Sequence, residues 1–224
     1  GICNLAYIFG GYMDMFGQAI NMAVAPMVAS LYSKKSPEAE RNVQTLIFLL
    51  MVVFILVCGL ASLWAKELFE LLIKNNNLQS AYPLSIIIIM SYTYRPLKIA
   101  GMNKLFFYEH TKKLWRISFV AGLLNVILNL IFIPIYGIYA AAITTFLSLS
   151  YVAISPFYIK EYKKMKNERF YAEYWMLCIA ILTAVLYMLR DLSITAKILI
   201  SFASIFIFLI YFLKHKKRIE AISV

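Results

Sequence analysis

The sequence predicts an all-α fold, a polytopic bundle of about seven transmembrane helices, and two observations carry that prediction. Hydrophobic residues make up 62% of the 224 residues and charged residues 15%, whereas an ordinary soluble domain has about 25% charged residues. The apolar runs continue for about 20 residues, as a membrane-spanning helix requires, while barrel strands would alternate over about ten. Because the bilayer offers the backbone no hydrogen bonds, helices are the structure that such runs form.

Seven spans follow from the apolar runs, at residues 2–31, 44–64, 82–103, 114–133, 137–159, 173–189 and 194–213. Turn-forming residues separate them: Ser36-Pro37 precedes the second span and the asparagines 75–77 precede the third. Pro134 and Gly137 are expected to make a tight turn between the fourth and fifth spans. The segment 63–72 is amphipathic, which predicts a short interfacial helix between the second and third spans.

The basic residues give the orientation. If all seven segments span, 16 Lys and Arg residues lie in loops on one side and four in loops on the other. The side with more basic residues is expected to be cytoplasmic, with the C-terminus. The net charge of +11 therefore indicates a membrane face rather than a nucleic-acid partner. The chain opens Gly1-Ile2-Cys3-Asn4 without a signal peptide, so an outside start predicts that an N-terminal part precedes it.

Polar residues at membrane depth recur at helical spacing. On the first span Asp14, Gln18 and Asn21 share one face, and on the fourth Asn125 and Asn129 do the same. For both faces, a wetted cavity and simple helix packing are equal alternatives. The fifth span has a stripe of small residues, which favours close packing over a cavity; it consists of Gly137, Ala141, Thr144 and Ser148.

The third span contains two cations, Arg95 and Lys98, which are three residues apart and share a face. Arg95 lies about 20 Å along the helix from residue 82, in the predicted cytoplasmic half. A charge in a bilayer costs about 3 kcal/mol or more unless it meets a partner or water. Two interpretations stand: both cations snorkel or pair with Asp14, or they bind an anionic substrate such as a phosphate. Asp14 is either a hydrogen-bonded packing residue or a proton or cation coupling site.

The sequence contains no catalytic motif, paired carboxylates or phosphate-binding glycine loop, so no enzyme is predicted. Neither a metal nor a cofactor is expected. The three cysteines, Cys3, Cys58 and Cys178, are scattered and are interpreted as small apolar residues.

The fourth and fifth spans resemble a known family. The run from Gly122 to Thr145 resembles the N-x-x-L-N-L-x-x-I-P-x-Y-G-I-x-G-A-A-x-A-T signature of polysaccharide (O-antigen type) lipid-linked oligosaccharide flippases. These belong to the multidrug/oligosaccharidyl-lipid/polysaccharide exporter superfamily. Ala25-Pro26, followed by Ser30, is similar to a second segment of the same family, and the resemblance covers roughly residues 15–155. Ala140 departs from the signature, which more often has Gly at that position.

The resemblance implies a two-lobed transporter whose C-terminal lobe corresponds to residues 1–160, followed by two further helices and a basic tail at 161–224. It implies flipping of an undecaprenyl-diphosphate-linked oligosaccharide across the bacterial inner membrane, alongside a polysaccharide polymerase and other glycan-assembly proteins. The expected cavity residues are Arg95, Lys98, Asn125, Asn129, Asp14, Gln18 and Asn21. The alternatives are a cation-coupled exporter of multiple drugs or other small molecules, from the same superfamily, and a scaffold without transport activity for glycan assembly.

Overall fold

The structure is a computed structural model that describes residues 2–165 and 169–220. Its helices are α1 (Ile2–Ser33), α2 (Pro37–Leu63), α3 (Ala65–Leu72), α4 (Asn76–Gln79), α5 (Tyr82–Ser91), α6 (Arg95–Phe107), α7 (Thr111–Tyr136), α8 (Ile138–Ile154), α9 (Lys160–Lys164), α10 (Ala172–Met188) and α11 (Ile194–Glu220). Short 3-10 turns follow α5, α8 and α10. Within the described residues there is no β-strand, and the predicted all-α bundle is confirmed. Lys166 and the side chains of Cys3, Lys217 and Arg218, which enter the predictions above, lie outside the described part.

Five helical segments are long and apolar enough to cross a membrane. They are Pro37–Leu63, Thr111–Tyr136, Ile138–Tyr158, Ala172–Asp191 and Ile194–Lys216. The other two predicted spans are helical but differ in character. The helix α1 has 32 residues but is not among these five. The third span is divided into α5 and α6, which have 10 and 13 residues. The count of seven therefore remains a prediction for α1 and for the α5–α6 segment.

The third span is interrupted because Pro96 has no backbone N–H. In a continuous helix that group would donate to the carbonyl of Tyr92. Instead, the N–H of Arg95 bonds the Tyr92 carbonyl, and residues Tyr92–Tyr94 form a 3-10 turn. The side chain of Arg95 therefore leaves the chain at the junction between α5 and α6. The proline was visible in the sequence, but the prediction of one uninterrupted helix overlooked it.

Several predicted boundaries need correction, and α11 runs to Glu220 rather than residue 213. The helix α2 begins at Pro37 rather than residue 44, because Ser36 caps it by accepting a hydrogen bond from the Ala39 N–H at 3.1 Å. Pro134 does not form the turn after α7 but lies inside its last turn. Gly137 alone connects α7 to α8, with φ 62°. The predicted interfacial helix at 63–72 is confirmed as a helix, α3.

The core lies where α2 crosses α5 and α6. Fully buried apolar side chains from α2 include Ile47, Met51 and Phe54, and they belong to one cluster with Ile86 and Leu97. The helices α7 and α11 are peripheral, since only 11% of the apolar stretch of α7 and 6% of that of α11 are buried within the protein. Most of their apolar side chains face outward, as those of helices in contact with lipid would.

Loops that the charge pattern places on one side do contact each other. At one end of the bundle, the Lys197 ammonium on α11 bonds both carboxylate oxygens of Glu67 on α3, at 2.7 and 2.9 Å. Lys66 pairs with Asp191 at 3.2 Å. We call these four residues the α3–α11 ion-pair cluster. At the other end, Lys113 at the start of α7 pairs with Glu161 on α9 at 3.0 Å. The grouping of the loops into two faces therefore agrees with the predicted topology.

The single-residue turn at Gly137 gives a prediction for stability. Its φ of 62° and ψ of −146° lie in a region open essentially to glycine, where another residue costs of order 1–3 kcal/mol. Gly137→Ala is expected to lower the melting temperature of the purified protein in detergent. The matched control is Gly122→Ala in α7, where an added Cβ meets nothing within 4 Å. Equal melting temperatures for the two variants would contradict the prediction.

Candidate substrate site

An ion pair between α1 and α6 lies at the centre of the candidate site. The Arg95 guanidinium donates to the Asp14 carboxylate, and also to the Asp14 backbone carbonyl at 3.2 Å. Gln18, one turn along α1, donates to the other carboxylate oxygen at 2.6 Å. The side chain of Arg95 is 14% exposed and that of Asp14 33%. One of the two predicted interpretations of Arg95, the pair with Asp14, is therefore present.

Gly17 makes room for this pair. A Cβ built on Gly17 would lie 2.7 Å from both Cγ and Nε of Arg95, which is closer than real side chains approach. About two helical turns earlier on α1, a Cβ on Gly10 would lie 2.4 Å from Cγ2 of Ile88. The two glycines are seven residues apart and so lie on one face of α1. They let α1 approach the α5–α6 segment closely enough for the Arg95 side chain to cross it.

A small cavity opens beside the ion pair. It has a volume of about 130 Å³ and is lined by Asp14, Arg95 and Lys98 together with Tyr92 and Tyr94 and residues of α8. Within the described part of the chain, no hydrogen bond or ion pair engages the Lys98 ammonium. The buried Nε of Arg95 likewise has no hydrogen-bond acceptor there. The cavity thus holds two cations and one carboxylate, and its charge favours an anion.

The remaining predicted site residues lie in two other places. Asn21 accepts a hydrogen bond from Asn103 of α6 at 3.4 Å, further along the same α1–α6 contact. Asn129 donates to Asn125 at 3.0 Å and accepts from the Thr144 hydroxyl of α8. These two asparagines therefore bond within the α7–α8 contact, and they do not line the cavity beside Arg95.

The small-residue stripe on α8 is used for packing, as the sequence indicates. Ala141, Thr144 and Ser148 are buried. The carbonyl of Ala141 accepts from the Tyr7 hydroxyl of α1 at 3.2 Å, and Thr145 bonds the same hydroxyl at 2.7 Å. The helix α8 is therefore in contact with both α7 and α1.

The sequence interpretation missed two features of this site. Gly17 is not among the residues that the sequence analysis selects on the first span, although a Cβ there would meet Arg95; a Cβ on Gly11 of the same helix meets nothing within 4 Å. Tyr92 and Tyr94, which line the cavity, are not among the predicted site residues. The spacing of Gly10 and Gly17 was a usable signal for a close helix contact.

Across the described residues, no group of three or more His, Cys, Asp or Glu side chains is placed to hold a metal ion.

The fold and the charged cavity define a polytopic helical membrane protein with an intramembrane polar site. The chain belongs to the MatE family, whose model matches residues 3–131. Membership of this family indicates that the protein is a membrane exporter of the multidrug/oligosaccharidyl-lipid/polysaccharide superfamily. The members of the family are transporters. No curated protein and no solved structure gives a significant match. The superfamily implied by the resemblance is confirmed, while the flippase subfamily is a finer statement that remains a prediction. The matched range ends before Pro134 and Gly137 of the flippase signature.

The contact at Gly17 yields a second prediction. Gly17→Ala is expected to displace Arg95 from Asp14 and lower the melting temperature, because the added methyl overlaps Cγ and Nε of Arg95. Gly11→Ala is the matched control on the same helix and is expected to be neutral. In an Arg95→Ala background, where Cγ and Nε are absent, Gly17→Ala is expected to cost little. An equal cost of Gly17→Ala in both backgrounds would show that Arg95 is not the group it meets.

Proposed function

We propose that the intact protein flips an undecaprenyl-diphosphate-linked oligosaccharide from the inner to the outer leaflet of the bacterial cytoplasmic membrane. The observation that carries this proposal is the charge of the cavity. Two cations, Arg95 and Lys98, face one carboxylate, Asp14, and Lys98 makes no hydrogen bond or ion pair to any of the described residues. A site for a cationic drug would be expected to have an excess of carboxylates instead.

The geometry suggests how a diphosphate would be held. An anion that enters the cavity meets the free ammonium of Lys98 and then competes with Asp14 for the guanidinium of Arg95. Because Arg95 already has a carboxylate partner, its charge stays tolerable in the membrane when the site is empty. Charge-assisted hydrogen bonds to phosphate are about twice as strong as neutral ones. Asp14 therefore serves as the counter-ion of Arg95 until the phosphate of the substrate replaces it.

A volume of about 130 Å³ suits the charged group of a lipid-linked sugar rather than the whole molecule. Under this proposal the sugars lie against the second lobe of the transporter, opposite the exposed side of α1. That side is long and mixed in character, with Tyr12, Met15 and Met22 exposed. The excess of basic residues in one set of loops supports an orientation with the C-terminus in the cytoplasm. Polysaccharide polymerase and other glycan-assembly proteins would be neighbours in the membrane.

A second candidate function is cation-coupled export of small molecules, and Asp14 favours it. Asp14 is a partly exposed carboxylate at membrane depth with Gln18 and Arg95 as its partners. In that function, protonation or cation binding at Asp14 would release Arg95 and change the packing of α1 on α6. A drug-resistance assay in a host that lacks its own efflux pumps distinguishes the two functions. An exporter restores resistance and loses it on Asp14→Asn, whereas a flippase gives no resistance.

Lys98→Gln is the sharpest test of the flippase proposal, because it removes the free cation and leaves the Asp14–Arg95 pair intact. Loss of a charge-assisted contact worth roughly 1.5–3 kcal/mol is expected to reduce surface polysaccharide at least about tenfold. Lys98→Arg is expected to keep most of the glycan, and the exposed-loop control Lys34→Gln all of it. Protein amount is measured in parallel by immunoblot.

The double variant Arg95→Ala with Lys98→Ala is expected to abolish surface polysaccharide at unchanged protein amount. Normal glycan output from this variant would remove the anion site from the mechanism. If the polar faces of the helices were also found to be packed against each other without water, normal glycan output would favour a scaffold without transport activity.

A further inference from the structure

A second cavity lies at the end of the bundle that the basic loops mark as cytoplasmic. Its volume is about 730 Å³, and it is formed where the start of α7 meets the end of α8, the helix α9 and the first turns of α10. It is separate from the cavity beside Arg95, since the two share no lining residue. A volume of this size is typical of a site that holds a small molecule.

The walls of this cavity are divided by polarity. Lys113, Arg116 and Lys160 line its basic part. One to two turns deeper along α7, Ile117 and Val120 line an apolar part, and Val120 lies about 10 Å along the helix from Lys113. The cavity therefore runs from a cationic rim into an apolar wall, in the direction from the membrane face toward the hydrocarbon.

The rim keeps a surplus of positive charge. Among the described residues that line it, the one carboxylate is Glu161, which is already paired with Lys113 at 3.0 Å. That hydrogen bond lowers the pKa of Glu161, so the carboxyl stays ionised and occupied. Arg116 and Lys160 are exposed, and the described part of the chain provides neither with a hydrogen bond or an ion pair. Two cations at the rim are thus available to an anion from outside the chain.

The wall between α8 and α10 is held in place independently of any ligand. The Tyr158 hydroxyl, on the turn after α8, donates to the Glu173 carboxylate of α10 at 2.6 Å. The Lys163 ammonium lies over the Tyr158 ring, 5.4 Å from its centroid. The groove is therefore preformed rather than a gap between mobile ends.

We propose that this groove, which we call the basic rim groove, binds one anionic glycerophospholipid of the cytoplasmic leaflet. Arg116 and Lys160 hold its phosphate, and an acyl chain lies along Val120 and Met176. The complementarity of charge at the rim and of apolar surface below it identifies the ligand class. Basic sites between helices at this membrane face attract anionic lipid head groups. The inference depends on the membrane topology and not on what the protein transports.

The test uses purified full-length protein in neutral detergent and measures binding of phosphatidylglycerol by native mass spectrometry. Phosphatidylcholine, whose head group has no net charge, is the comparison lipid. Wild-type protein is expected to retain phosphatidylglycerol in preference to phosphatidylcholine. Arg116→Gln with Lys160→Gln is expected to weaken phosphatidylglycerol binding about thirtyfold, from the usual contribution of two basic residues near a lipid head group.

The matched control is Lys112→Gln with Lys164→Gln, which removes the same charge from α7 and α9 at exposed positions outside the groove. It is expected to bind like the wild type, as is the charge-preserving pair Arg116→Lys with Lys160→Arg. Equal loss in the control and test variants would overturn the proposal, because general surface charge would then account for binding. Unchanged binding in the test variant would overturn it as well.

Two further arms separate the lipid from other anions. Inorganic phosphate is expected neither to compete with phosphatidylglycerol nor to raise the melting temperature, because it makes no use of the apolar wall. Competition at equal strength would overturn the assignment of a lipid. A polyprenyl diphosphate that occupies the groove while phosphatidylglycerol does not would assign the groove to the transported substrate and overturn the proposal. Failure of glycan transport in the Lys98 variant leaves this result unaffected.

Discussion

The requirement that a charge at membrane depth find a partner controls how the helices pack. A lone charge there costs at least about 3 kcal/mol. For Arg95 the chain meets this requirement with an ion pair that joins distant segments, whereas Lys98 faces the polar cavity. Asp14 and Arg95 join α1 to α6. At one end of the bundle, a second pair, Glu67 and the fully buried Lys197, joins α3 to α11. Each pair thus fixes a tertiary contact that apolar residues alone would leave free to slide or rotate.

The site depends on small backbone features more than on the charges themselves. Pro96 interrupts the helix next to Arg95 and creates the 3-10 turn from which its side chain extends. Gly17 then removes the Cβ that would block that side chain. With both features in place, Arg95 reaches a carbonyl and a carboxylate on α1, and Lys98 remains beside the cavity. Pro96 interrupts the helix and Gly17 leaves room beside it, and together they position the cation of Arg95.

Much of the architecture could be predicted because it follows from average properties. Hydropathy gave the helices, and the loop charges grouped their ends correctly, as the Lys113–Glu161 and Lys66–Asp191 contacts show. The pairing of Arg95 with Asp14 was one of two alternatives, because both lie on polar faces of suitable depth. The sequence provides no measure of how two helices rotate about their axes. For that reason the sequence could not show that Asn125 and Asn129 bond to each other and to Thr144.

Boundaries were harder to predict for a local reason. A cap such as Ser36 extends α2 by seven residues into a stretch that is polar and reads as a loop. Pro134 is tolerated in the last turn of α7, so its presence near a turn misplaced the end of that helix. In both places short-range hydrogen bonds determined the outcome over composition.

The one-residue link at Gly137 also limits how the molecule moves. With a single residue between them, α7 and α8 have no slack, and a displacement of one is transmitted directly to the other. Because α8 also touches α1 through Tyr7, the three helices are linked to one another. The one-residue connection at Gly137 lies at the end of the bundle opposite the basic rim groove. Bending within the bundle is therefore expected elsewhere, at the α5–α6 junction, where the helix is interrupted beside Arg95.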